Sequence, residues 1–282
     1  MKTYLDCYPC FMKQALSAAR RAGASEELQQ EILLNVMDEL QSLPLSITPP
    51  EMAFKIHKSV RQKTHNSDPY KQAKDQATQE ALTLYPELKN KLGTASDPLE
   101  IAVRIAIAGN IIDLGVNDSY DIKANLNRVL TQSFAISDLP ALRKQLEECS
   151  SILYLADNAG ETVFDRILIE QFNKPVTYVV KAGPIINDAT YEDAVAAGID
   201  QVAEIIDNGS QAPGTLFEQC SESFLQRFQQ AELIIAKGQA NYESLSEQPA
   251  PIFFLLQAKC NVIARDLGIK ETDIVLKQQL KE

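Results

Sequence analysis

The sequence predicts an α/β protein: three αβα layers around a mostly parallel sheet, with a helical N-terminal subdomain. Two observations carry this. The first half is written in helical periodicities, and the second half alternates short, β-favouring apolar runs with helical stretches. A third sharpens it: the polar residues of the second half gather just after those runs, and so fall on one edge of a parallel sheet. The length of 282 residues exceeds a typical single domain. The expected division is a helical subdomain at 1–95 and an αβα domain at 96–282.

Cys7-Tyr8-Pro9-Cys10 opens the chain, followed by a helix from Phe11 to Ala22 that Gly23 terminates. Leu28, Ile32, Val36 and Leu40 recur every four residues, so Glu26 to Leu43 reads as an amphipathic helix ended by Pro44. Thr48-Pro49-Pro50-Glu51 has the form of a capping box with proline in the first turn, and the helix it starts runs toward Lys63. Asp68-Pro69 starts the next helix, carrying Tyr70, Lys74 and Asp75. Asp97-Pro98 launches the most apolar helix, Leu99 to Ala108, which its composition expects to be buried. It runs into Gly109-Asn110-Ile111-Ile112-Asp113, where Asn110 and Asp113 share a helix face. Burial obliges such groups either to bond neighbouring backbone ends or to line a site. Residues 114–150 read as a polar segment followed by a helix from Asp138 to Glu148.

Ile152 to Leu155 is the first strand-like run, stopping at Asp157-Asn158-Ala159-Gly160-Glu161 before helical spacing resumes. Further runs are Val176–Val180, Val202–Ile206, Leu233–Ala236 and Ile252–Leu256, with a last helix or strand after Lys259-Cys260. Asp157 and Asn158 offer carboxylate and amide oxygens suited to a hard cation, although either also serves as a helix cap. Asp188, the Gly209-Ser210 to Gly214-Thr215 loop, Lys237 and Asn241 follow later runs, and in a parallel sheet they converge with Asp157. Two carboxylates, an amide, an ammonium and a glycine-rich loop together describe a phosphate site with a metal.

The chain carries 27 basic and 38 acidic residues, a formal net charge of −11. That balance argues against non-specific nucleic-acid binding and against an anionic membrane surface. No apolar run approaches the ~20 residues of a spanning helix, and Met1 to Asp6 lacks a signal-peptide core, so a cytoplasmic protein is expected. Five cysteines, an odd number without framework spacing, fit a reducing compartment. The lone CxxC is half a zinc site at most. The only histidines are His57 and His65, without acidic partners at ligand spacing, so histidine catalysis is not expected.

Taken in order, Cys7-Tyr8-Pro9-Cys10, Asp68-Pro69-Tyr70, Gly109 to Asp113, Asp157 to Glu161, Asn187-Asp188-Ala189-Thr190, Asn208 to Thr215 and Lys237 to Asn241 resemble the metal-dependent damage-control phosphatase family, formerly domain of unknown function 89. The likeness is to its small prokaryotic branch with an N-terminal CxxC, and it spans nearly the whole chain. It implies a divalent cation, manganese first, with magnesium, cobalt or nickel as alternatives, held by Asp157, Asn158 and Asp188. It also implies Lys237 on the substrate phosphate, and small phosphomonoesters such as sugar phosphates or damaged phosphometabolites as substrates.

The expected reaction is attack of a water on the phosphate monoester, with the cation as Lewis acid. Lys237 and loop N–H groups, including the stretch around Ser210, offset developing charge, while Asn110, Asp113 and Asn241 orient substrate. Glu161 or Asp188 takes a proton; the sequence does not choose. Two rivals stand beside this reading. One is a non-catalytic metal-binding module using Cys7, Cys10 and Cys260. The other is a nucleotide- or methyl-donor-binding enzyme, although the first strand-to-helix turn lacks Gly-x-Gly-x-x-Gly. The oligomeric state is not legible.

Overall fold

The strand that delivers Asp157 lies between two neighbours in the middle of a seven-stranded sheet. The structure is a computed structural model, and it describes residues 1–44, 46–109 and 122–279. Helices α1 (Cys7–Arg21), α2 (Glu26–Gln41), α3 (Pro49–Thr64), α4 (Lys71–Gly93) and α5 (Pro98–Gly109) come first. Side-chain oxygens cap several of their starts. The Ser25 hydroxyl accepts the Leu28 N–H at 3.3 Å, Glu51 accepts the Thr48 N–H at 2.7 Å, and Asp97 accepts the Glu100 N–H at 3.1 Å.

Then follow α6 (Ile122–Thr131), β1 (Ile136–Ser137), α7 (Leu139–Glu148), β2 (Ile152–Leu155), α8 (Thr162–Ile169), β3 (Val176–Val180), α9 (Tyr191–Ala196) and β4 (Glu204–Asp207). The chain ends with α10 (Glu222–Gln230), β5 (Ile234–Lys237), α11 (Gly238–Leu245), β6 (Ile252–Gln257), α12 (Asn261–Leu267) and β7 (Ile274–Gln279). The sheet order is β1-β7-β6-β5-β2-β3-β4. The five strands from β6 to β4 run parallel, whereas β7 is antiparallel to β6 and β1 pairs parallel with β7. This is the mostly parallel α/β architecture that the alternation predicts.

Alternation along β2 sorts the helices into two layers. Ile152 and Tyr154 enter a core with α4, α5 and α8, while Leu153 and Leu155 enter a second core with α1, α2 and α3. Residues 1–95 therefore do not share one core. Ala15, Ile32 and Ile56 pack under one face of the sheet, Ala81 and Leu88 under the other. Helix α5 is buried along most of its faces, as its composition requires. Its last residue, Gly109, has no room for a side chain: a Cβ there would stand 2.6 Å from the Phe164 ring and 3.4 Å from Cα of Glu161. The absent methyl lets α5 close on the turn that carries Glu161.

Two stretches are more regular than the sequence suggests. The polar segment before α7 contains α6, which buries Leu126 and Val129, and the two-residue β1, whose partner Val275 is far along the chain. Non-local pairing of this kind leaves no local signal. Both alternatives for the C-terminal end are realised, α12 closing at Gly268 with φ 68° and β7 following it.

Candidate active site

From β2 the chain runs outward through β3 and β4 on one side, then returns to place β5 and β6 on the other. The carboxyl ends of β2 and β5 therefore flank the crevice where strand order reverses. Asp157 and Asn158 leave β2 there, and Lys237 ends β5. Backbone bonds bring the loop after β3 alongside. Asn158 and Asp188 form an antiparallel bridge, the Ala159 N–H donates to the Asn187 carbonyl at 2.8 Å, and the Ala189 N–H donates to the Asp157 carbonyl at 2.8 Å. Asp157, Asn158 and Asp188 thus share one wall of a cleft of about 340 Å³, which Cys7, Phe11 and Ala53 from the N-terminal helices also line.

Behind that wall runs a buried polar chain. The Asn158 amide nitrogen donates to Asp157 Oδ2 at 3.1 Å and to Glu161 Oε1 at 2.5 Å. Lys237 Nζ donates to the other Glu161 oxygen at 2.9 Å and to Asp165 Oδ1 at 2.7 Å. Asp165 also accepts the Tyr154 hydroxyl at 2.8 Å and the Tyr178 hydroxyl at 2.7 Å. Glu161, Asp165 and Lys237 are each 0 % exposed. On the other side, Lys181 Nζ lies 3.6 Å from Asp188 Oδ2 and donates to the Gly214 carbonyl.

Among the described residues, this cluster buries the carboxylates of Asp157, Glu161, Asp165 and Asp188 with the ammonium groups of Lys181 and Lys237. Burial by itself lowers the Lys237 pKa, but Asp165 and Glu161 more than reverse this and hold the ammonium charged. Burial raises the pKa of Asp165, and Lys237 works against it. Burial and the neighbouring Asp165 carboxylate keep Tyr154 and Tyr178 protonated, so both remain donors.

The other residues singled out in the sequence have definite places. Asn241 lies on α11, which begins directly after β5. Its amide donates to the Ala156 carbonyl at 3.0 Å and the Lys237 carbonyl at 2.8 Å, and it accepts the Thr215 hydroxyl at 2.8 Å. It therefore ties the ends of β2 and β5 to the glycine loop. Ser210 is buried, and its hydroxyl accepts the Ala212 N–H at 3.0 Å. In the same loop Gly214 has φ 64°, and a Cβ there would stand 2.4 Å from the Ala240 carbonyl oxygen. Asn110 and Asp113 lie outside the described residues.

Lys237 is not on the cleft wall, whereas Asp157, Asn158 and Asp188 are. Four network members escape the sequence reading: Lys181, Asp165, Tyr154 and Tyr178. Lys181 has a usable signal, since it follows β3 directly. Asp165 on a helix and the tyrosines in strands read as ordinary members of their elements. Cys7, Cys10 and Cys260 line the same cleft, and burial pushes the Cys7 thiol up to about 11. Among the described residues no three His, Cys, Asp or Glu side chains are placed to hold a metal ion.

Comparison with known proteins identifies the family. The family model for the damage-control phosphatase ARMT1-like domain matches residues 3–275. A damage-control phosphatase of Pyrococcus horikoshii is 33 % identical, aligned over 98 % of this chain and 97 % of its own. A damage-control phosphatase of Archaeoglobus fulgidus is also 33 % identical, over 98 % and 99 %. A crystal structure of a DUF89 family protein from Pyrococcus horikoshii superposes with a TM-score of 0.89 at 30 % identity, covering 99 % of each chain. The chain belongs to the ARMT1-like damage-control phosphatase domain family.

Proposed function

We propose that this member of a phosphatase family is a divalent-cation-dependent enzyme that hydrolyses small phosphomonoesters, sugar phosphates or damaged phosphometabolites among them. The observation that carries the reading is the set of oxygen donors, Asp157, Asn158 and Asp188, that backbone bridging brings together on one cleft wall. Two carboxylates and an amide side by side offer a hard divalent cation oxygen ligands and no soft donor. The donor set fits such an ion: Asp157 and Asp188 supply carboxylates, and Asn158, its nitrogen already donating to two carboxylates, has its oxygen left to ligate. These oxygens suit manganese, with magnesium, cobalt and nickel as alternatives. The bound cation supplies Lewis acidity toward a phosphoryl oxygen and lowers the pKa of a coordinated water.

The chain's own residues do the rest. The cleft of about 340 Å³ admits a small molecule. Lys181, 3.6 Å from Asp188 Oδ2, is likewise off the cleft lining, and its field reaches the phosphoryl oxygens through Asp188. Lys237 acts from behind the wall, its field reaching the site through Glu161. Asp188, on the wall, accepts the proton as a water oxygen bonds to phosphorus; the ester P–O bond breaks, and the leaving oxygen takes a proton from solvent. Glu161 is off the wall and orients Asn158. Asn241 and Ser210 shape the loops that border the phosphate.

The test is phosphate release from p-nitrophenyl phosphate by chelator-stripped protein before and after addition of Mn²⁺. Mn²⁺ restores activity, and Asp157→Ala or Asp188→Ala lowers the restored rate by more than about a hundredfold. A stripped protein that works as well without added cation sinks the reading. Cys7→Ser with Cys10→Ser leaves the restored rate intact; a protein without phosphatase activity whose tight Zn²⁺ binding those substitutions abolish favours the thiol-based module.

A further inference from the structure

We infer that Asp165, held by Tyr154 and Tyr178, is a positioning residue for the cation-binding wall: it fixes Lys237, which fixes Glu161, which sets the Asn158 amide with its oxygen toward the cleft. This rests on the cation reading above and adds to it three residues that touch neither substrate nor cation. None of the three lines the cleft, so any effect they have on it travels through other side chains.

An asparagine amide is donor at one end and acceptor at the other, and only its surroundings decide which end faces a ligand. At Asn158 the decision is made by two carboxylates on the nitrogen, Asp157 at 3.1 Å and Glu161 at 2.5 Å. Release of Glu161 removes one of them, and the end of the amide that repels a cation then competes for the cleft. Glu161 in turn is held by Lys237, whose long stem has many rotamers. Asp165 removes that freedom by occupying a second donor position of the ammonium at 2.7 Å.

Asp165 itself is clamped from the sheet. Tyr154 and Tyr178 are register partners on adjacent strands, their rings are stacked with centroids 5.3 Å apart, and each hydroxyl takes a different carboxylate oxygen. The central strands of the sheet thereby set the orientation of an amide on the cleft wall. Outer groups that orient metal ligands in this way change metal affinity or activity by about 10–100-fold when removed.

The experiment measures Mn²⁺ binding to stripped protein directly, from the electron paramagnetic resonance signal of free Mn²⁺, alongside thermal unfolding and kcat and KM at saturating Mn²⁺. Asp165→Asn weakens Mn²⁺ binding about tenfold. Tyr178→Phe, which removes one hydroxyl and keeps the ring stack, weakens it in the same direction by less. In both variants saturating Mn²⁺ restores most of kcat with KM little changed. A lower melting temperature with wild-type Mn²⁺ affinity means a purely structural role and overturns the inference. Tyr178→Phe decides the matter if Asp165→Asn does not fold. Wild-type protein that binds no Mn²⁺ defeats the cation reading itself, whereas wild-type binding that neither variant alters defeats only the positioning role.

Discussion

Two buried lysines, Lys237 and Lys74, each stand between two carboxylates, yet their clusters differ in where they lead. Lys74 is 1 % exposed and lies 3.1 Å from both Asp68 and Asp193. Asp193 is already part of the α9 cap, accepting the Thr190 N–H at 2.9 Å and hydroxyl at 2.6 Å, and Asp68 accepts the Tyr70 N–H at 3.1 Å. Those bonds close on themselves and fasten α4 to the start of α9. The Lys237 cluster instead continues through Glu161 and Asn158 to a cleft wall. Burial of an ion cluster is thus no sign of a site; an open end on a cleft is.

The largest expected effect tests that distinction. Lys237→Met leaves Glu161 and Asp165 buried without their shared cation and costs about 3–5 kcal/mol. Lys74→Met costs a similar amount, by the same mechanism. Denaturant titration of both, with activity expressed per folded molecule, separates them: Lys237→Met loses activity and Lys74→Met keeps it. Equal loss in the two variants breaks the comparison.

A smaller effect sharpens it. Mn²⁺ at a hundredfold excess over its dissociation constant stabilises the native protein by about 2.7 kcal/mol. The shift in melting temperature persists in Lys74→Met and disappears in Asp157→Ala. A shift that survives Asp157→Ala places the ion elsewhere.

The smallest concerns the closed side, where His57 borders a small void with Asp68 and Tyr70. Burial, and then the charge of Arg61, lowers the His57 pKa from 6.5 to about 3. The folded state binds this proton less readily than the unfolded state does. The contribution is therefore complete above pH 6.5 and is lost progressively as pH falls toward 3. His57→Gln flattens the decline in unfolding midpoint across that window while leaving Mn²⁺ binding unchanged. An identical pH profile in the variant removes His57 from the explanation.

Much of this protein is legible along the chain. The Thr48–Glu51 pair and Asp97 announce helix starts because caps are local chemistry, and Ile152–Leu155 and Val176–Val180 announce strands because their apolar runs are continuous. Asp157, Asn158 and Asp188 are recognisable because each follows such a run. Lys237 is recognisable too, yet sequence alone assigns it to the phosphate, while packing turns it inward to Glu161 and Asp165. Lys181, Asp165, Tyr154 and Tyr178 have no marker pointing to one another.

The sequence by itself determined the α/β alternation, the caps and the sheet edge on which the polar residues meet, because these depend on spacings of a few residues. Only the tertiary structure decided that the N-terminal helices divide between the two faces, that β2 and β5 flank the crevice, and that Lys237 turns inward to Glu161 and Asp165. Those outcomes depend on which side chains distant in sequence share a buried, weakly screened volume, where proximity rather than position in the chain sets the energy.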